Sequence, residues 1–178
     1  MVRYSKEDVL DQTEKLAIIG ATKNLKERFL IKCALFQGMR AGEIANMQKA
    51  WVRWQDNLIH IPSSEGEWSP KTKQSVRDIP IHPEFKPDLV EWFKNKDKVG
   101  ITRVSIYRNI KNIAKRSNLP KKVYPHSLRA TYASMLAGQG IPSSDIQYVL
   151  GWAKLETANN YIRSTTAIEN IRKKWENG

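Results

Sequence analysis

Apolar residues in the first part of the chain recur at intervals of three and four, the spacing that gathers side chains on one face of a helix. Ser5 with Asp8 matches a capping box and predicts a helix ending near Gly20. Leu25, Phe29, Leu30, Cys33 and Ala34 share the inward face of a second helix from about Asn24 to Gln37, which Gly38 stops. Ala41 to Gln48 reads as a short third helix. From Trp51 the period drops to two: Trp51-Val52-Arg53-Trp54, an Asp56-Asn57 turn and Leu58-Ile59-His60-Ile61 predict a hairpin. Val76 to Ile81 predicts a third strand, reached through a polar loop over residues 63–75.

The helical period then returns. Pro83 and Pro87 mark the start of a helix through Leu89, Val90, Trp92 and Phe93, and another begins near Thr102 with Ile106, Ile110 and Ile113 on one stripe. Helices are predicted over Ser127 to Ala137 and Ser143 to Leu150, with a short one carrying Tyr161. After Thr165 a narrow stripe of Ile168, Ile171 and Trp175 has the form of a docking surface. The fold class is α+β: a mostly helical domain with a small three-stranded antiparallel sheet.

Composition changes that picture little. A chain of 178 residues, 40% hydrophobic with six Trp, is sized for one domain with its own core. The single Cys33 excludes an internal disulfide and a cysteine-rich metal site, and reads as a buried thiol in a reducing compartment. No apolar run has the length of a membrane span or the form of a signal peptide, so a soluble, intracellular protein is expected. Charge says more. The net charge of +12 is concentrated between Lys94 and Lys122, where ten basic residues face one acid, Asp97. Such a tract suits a polyanion, and nucleic acid is the usual one. The competing reading is a solvated face kept for solubility.

The chemistry is carried by Pro125-His126-Ser127-Leu128-Arg129, then Leu150-Gly151-Trp152, then Tyr161. His126 and Arg129 lie three apart, so one helix face presents both, and a guanidinium grips two phosphate oxygens at once. A phenol with its usual pKa near ~10 is a weak nucleophile at neutral pH, so Tyr161 needs cations or a base beside it. Arg40, Arg129 and His126 are the candidates to supply them. Negative charge that grows on the nonbridging oxygens during attack on phosphorus is matched better by forked guanidiniums than by lysines.

Gln37-Gly38-Met39-Arg40-Ala41-Gly42-Glu43-Ile44 resembles the first arginine box of the tyrosine recombinases, or phage-type integrases, and Pro125 to Ser134 resembles the second. The intervals from Arg129 to Trp152 and from Trp152 to Tyr161 also fit that family's pattern, and the resemblance runs from about residue 5 to the end. It implies a catalytic domain in which Arg40, Lys71, His126, Arg129 and Trp152 surround Tyr161, the nucleophile that forms a 3′-phosphotyrosyl intermediate and releases a 5′-hydroxyl. Lys71 aligns with the family's strand-turn lysine and is the preferred general acid. Lys73 competes for that role and is otherwise a phosphate contact. Glu43, one turn from Arg40, is expected to orient it, a solvent-facing salt pair being the alternative. Two departures stand out: Trp152 occupies a position where many members have His, and Ala130 one where a second His often follows the arginine.

The remaining expectations concern partners. Lys73, Arg77, Arg103, Arg108, Lys111, Lys115, Lys121 and Lys122 are the candidate DNA contacts, with the helix after Thr102 the one to approach a groove. No metal or other cofactor is expected, since His60, His82, His126 and Cys33 lack ligand spacing; His60 and His82 read as structural. The resemblance implies double-stranded DNA as partner and a homo-oligomer on it, a tetrameric synapse, with the C-terminal stripe packing onto a neighbour or in cis. The DNA-clamping N-terminal domain that members commonly carry has no counterpart in these residues, so the chain reads as a fragment or a minimal enzyme. Two other functions share some of these features: a type IB topoisomerase, and a DNA-binding protein in which Tyr161 merely packs.

Overall fold

The computed structural model describes residues 9–177, apart from the side chains of residues 160–167, 169 and 170. Eight helices and one sheet are defined within it: α1 (Gln12–Gly20), α2 (Leu25–Leu35), α3 (Ala41–Asn46), β1 (Val52–Arg53), β2 (Leu58–Ile61), β3 (Arg77–Pro80), α4 (Lys86–Phe93), α5 (Arg103–Arg116), α6 (Pro125–Gly138), α7 (Ser143–Leu150) and α8 (Leu155–Asn177). The α+β reading holds. The sheet is antiparallel in the order β1-β2-β3, with Ile59 opposite Val52 on one side and Ile79 on the other. Asn57, at φ 55°, supplies the left-handed residue of the hairpin turn.

Local chemistry explains the helix starts. Asn24 accepts from the Glu27 N–H and Thr102 from the Ser105 N–H, each meeting an amide that the helix leaves unpaired. The first helix begins later than the sequence predicts. Its capping box is Asp11 with Glu14, which exchange hydrogen bonds of 2.8 and 3.0 Å, whereas Ser5 and Asp8 lie outside the described residues. The C-terminal prediction also changes. Residues 155–177 contain no Gly or Pro, and a single 23-residue helix replaces the short helix and separate tail.

α2 is the hub, packed against α3, α4, α5 and α6, and its Phe29 stacks on Trp92 at 4.6 Å between ring centres. Cys33 is buried there, and burial pushes its thiol well above the ordinary range. At the end of α2, the Gln37 side chain donates to Pro80 O and accepts from the His82 N–H, tying the helix to the end of β3. α8 packs on α6 and α7, while α7 also touches β3. Among the described residues no helix is long and apolar enough to cross a membrane. These contacts bring the ends of α2, β3 and α7 to the start of α6.

Candidate active site

A cleft of about 460 Å³ opens where these elements meet. It is lined by Arg40, Glu43, Lys71, His126 and Arg129, with Trp68, Arg103 and Tyr107 at its sides. Arg40 comes from the turn before α3, and Lys71 from the loop between β2 and β3. His126 and Arg129 share the first turns of α6, where Pro125 opens the helix at a position needing no N–H donor. The His126 ring stacks on Tyr124 at 5.1 Å and 13°. Trp68 anchors the loop: its indole is buried, donates to Pro62 O at 3.1 Å and packs against Trp51. Lys71 therefore reaches the cleft from a fixed base. Lys73 is exposed, in the short 3-10 turn Lys73–Ser75, and does not line the cleft.

The two arginines are held by backbone carbonyls. Arg129 is buried and donates to Gly38 O at 2.6 Å and Leu150 O at 2.9 Å. Arg40 donates to Gly151 O at 2.9 Å and to Ser75 Oγ at 3.2 Å. Two glycines make this possible. Gly38 sits at φ +60° with a position for Cβ only 2.3 Å from the Tyr132 ring, and a Cβ on Gly151, at φ +67°, would lie 2.9 Å from Arg77 Nη1.

Glu43 lies beneath the cleft and is 2% exposed, so it is not a solvent-facing salt pair. It accepts from the Arg40 backbone N–H at 2.8 Å, but its tightest side-chain partner is Arg77 rather than Arg40. Arg77 grips both carboxylate oxygens at 2.7 and 3.0 Å, against 3.6 Å from Arg40 and 3.9 Å from Arg129. Burial pushes the Glu43 carboxyl up; the charge and hydrogen bonds of Arg77, with Arg129 and Arg40 behind it, outweigh that and hold it below its ordinary range.

Two predicted DNA contacts need correction. Arg77 is 2% exposed and spends its donors on Glu43, Ser75 O and Val149 O, so no phosphate reaches it. Lys121 is turned inward, its ammonium bound to Val9 O at 3.1 Å and Glu14 at 3.0 Å. Arg116, part of the basic tract, pairs with Glu27 and Ala21 O. The others are solvent-facing: Arg103, Arg108, Lys111 and Lys115 on α5, and Lys122 beyond it. Arg103, Tyr107, Lys111 and Lys115 succeed one another at steps of four along a single stripe, whose first two members line the cleft.

Trp152 is buried, directly after the left-handed Gly151 that ends α7. Tyr161 falls on α8, and its side chain lies outside the described residues. Tyr132 lies behind the arginines and is pushed up to about 12, chiefly by burial, so it stays a neutral phenol. His60 pairs with Asp78 at 2.8 Å on the sheet, and His82 stacks on Phe36; neither lines the cleft. Arg77 and Ser75 are the residues whose part at the site sequence reasoning missed. The strand parity that Arg77 shares with the buried Ile79 and Ile81 was the available signal for it.

Residues 8–167 match the phage integrase family. The chain belongs to that family. Among relatives of this integrase-family chain, a tyrosine recombinase XerD of Listeria monocytogenes is 34% identical over 171 residues, covering 88% of the chain and 57% of the relative. A tyrosine recombinase of Thermosipho africanus is 24% identical, covering 90% and 59%. The chain thus spans little more than half the length of these curated relatives. In structure it resembles the crystal structure of XerA recombinase, with a TM-score of 0.75 at 24% identity over 91% of this chain and 61% of that one. The Tn1549 transposon integrase in complex with transposon right end DNA gives 0.75 at 19% identity, covering 93% and 66%. At these identities the structural likeness speaks for the fold.

Proposed function

We propose that this integrase-family chain is the catalytic domain of a site-specific DNA recombinase, cutting and resealing strands through Tyr161. The observation that carries the reading is the convergence of Arg40, Arg129, His126 and Lys71, from separate parts of the chain, on one cleft beside an exposed basic helix. In the reaction the Tyr161 hydroxyl gives up its proton to His126 as its oxygen bonds to phosphorus, the bond to the 5′ oxygen breaks, and Lys71 gives that oxygen a proton. Arg40 and Arg129 stabilise the charge on the nonbridging oxygens, and His126 and Trp152 complete the group around the phosphate. The 3′-phosphotyrosine retains the energy of the broken bond, so a 5′-hydroxyl reverses the attack without nucleotide hydrolysis.

The partner is double-stranded DNA, met by Arg103, Arg108, Lys111, Lys115 and Lys122, with Lys73 on the loop side. Family members solved with DNA, among them the Tn1549 integrase and a lambda integrase dimer bound to a COC' core site, support that partner. Strand exchange between two duplexes calls for several active sites, hence a homo-oligomer on DNA acting inside the cell.

A nicked suicide substrate tests the reading. The chain should form a covalent adduct that survives denaturing electrophoresis and addition of a chelator, and Tyr161→Phe should form none. Arg40→Ala and Arg129→Ala should each slow adduct formation by roughly 100- to 1000-fold. An adduct that persists in Tyr161→Phe overturns the assignment of nucleophile. Sequence-independent binding with no adduct on any duplex supports a DNA-binding protein instead.

A further inference from the structure

The last carbonyls of α7 have a consistent set of partners. The Gly151 N–H returns to Tyr148 O and the Trp152 N–H to Gln147 O, which leaves the carbonyls of residues 149, 150 and 151 beyond the helix's own bonding. Each is taken by a different guanidinium: Val149 O by Arg77 at 2.6 Å, Leu150 O by Arg129 at 2.9 Å, and Gly151 O by Arg40 at 2.9 Å. The negative end of a helix thus meets three cations. The same three arginines surround Glu43, and Arg77 alone grips it with two short hydrogen bonds. Four residues beyond this turn, α8 begins, the helix to which Tyr161 belongs.

Arg77 never reaches solvent, so it acts only through what it holds. A buried ion pair is an expensive way to fill a core, and an apolar replacement of similar volume is often equally stable. Fold stability therefore does not account for a guanidinium bridging the 3-10 turn before β3, the carboxylate of α3 and the end of α7. We propose that Arg77 is a positioning residue for strand cleavage, locking Glu43 and the Val149–Gly151 turn together and thereby fixing Arg40 and Arg129 relative to the helix of Tyr161. The role rests on the cleavage chemistry proposed above. With Arg77 in place, Glu43 is anchored from behind and stays a fixed counter-charge to the two cleft arginines. Once Arg77 is removed, the carboxylate is freed to move onto Arg40 and Arg129, and Val149 O loses its donor.

The groups facing Glu43 are Arg40 from the turn before α3, Arg77 from β3 and Arg129 from α6; Tyr132 of α6 senses Arg77 and Arg129, and Lys71, Arg103 and Tyr107 line the same cleft. Without Arg77, burial of the carboxylate is opposed by two more distant guanidiniums only, and its proton is held to higher pH.

Single-turnover adduct formation and DNA binding, measured on the same chain across pH and salt, test this role in Arg77→Lys and Arg77→Met. Misplacement of reacting groups by an ångström costs about 100-fold in rate. The expected result is adduct formation slower by that order in Arg77→Met and less so in Arg77→Lys, with DNA affinity and its salt dependence unchanged. The rate of Arg77→Met relative to the parent should fall with rising pH as the freed Glu43 ionises and is drawn onto Arg40 and Arg129, and adding Glu43→Gln should remove the fall. A rate per folded molecule equal to the parent, with only the melting temperature lowered, overturns the role. A salt slope smaller by about one also overturns it, by making Arg77 a phosphate contact. A parent chain that forms no adduct at all overturns the cleavage reading and this role with it, whereas parental adduct with an equally fast Arg77→Lys overturns this role alone.

Discussion

Two glycines set the tolerance of the cleft. Gly38 O holds Arg129, and the residue needs both a positive φ and the absence of a side chain beneath Tyr132. Gly38→Ala should cost about 1–3 kcal/mol from overpacking, with roughly 1 kcal/mol more for the left-handed backbone. A calorimetric melt checks this, and adduct formation should slow as Arg129 shifts. The arginine boxes were legible in sequence because Arg40, His126 and Arg129 sit in short local patterns. Arg77 and Ser75 were not legible as parts of the site, since their partners lie far away along the chain: Glu43 is 34 residues from Arg77, Val149 is 72, and Arg40 is 35 from Ser75. For Arg77, the parity shared with Ile79 and Ile81 hinted at an inward face but named none of the groups it would meet there.

Among the elements, α5 has the clearest division of labour. Ile106, Ile110 and Ile113 are buried, while the opposite face carries Arg103, Arg108, Lys111 and Lys115 in solvent. Replacing Lys111 or Arg108 with Ala should weaken DNA binding across all sequences and lower the slope of log affinity against log salt by about 1 for each phosphate no longer neutralised. A filter-binding titration at several salt concentrations reads both. The hydrophobic period, together with Thr102 and Asn24 at their caps, made α5 and α2 legible, and the alternation around Asp56-Asn57 did the same for the sheet. Helix ends were harder. The sequence offers Ser5 with Asp8 as a capping box, whereas α1 as described starts at the box of Asp11 with Glu14. A narrow stripe of Ile168, Ile171 and Trp175 gave too weak a period to show that α8 runs unbroken through it. In the fold those three side chains remain exposed.

Across the molecule, Glu43 ties the site to stability. Its carboxyl ordinarily titrates near 4.5 and is held lower in the fold. A depressed carboxylate adds stability that is complete above its unfolded value and is lost as pH falls through the folded one. Urea unfolding of the chain should therefore show stability dropping below about pH 4.5, and Glu43→Gln should flatten that part of the profile while lowering stability at neutral pH. The basic tract shows the same interplay at larger scale. Composition marked it as a single charged surface, but Arg116 and Lys121 turn inward to bind acids brought close only by folding. Chain order carries no trace of such distant pairings. The sunken indole of Trp68 has a mechanical consequence. Only Ser69 and Pro70 separate it from Lys71, three chain steps that reach about 10 Å when extended. The ammonium is thus tethered like a lamp on a short bracket, free to follow a phosphate that shifts by a few ångströms while the sheet below stays still.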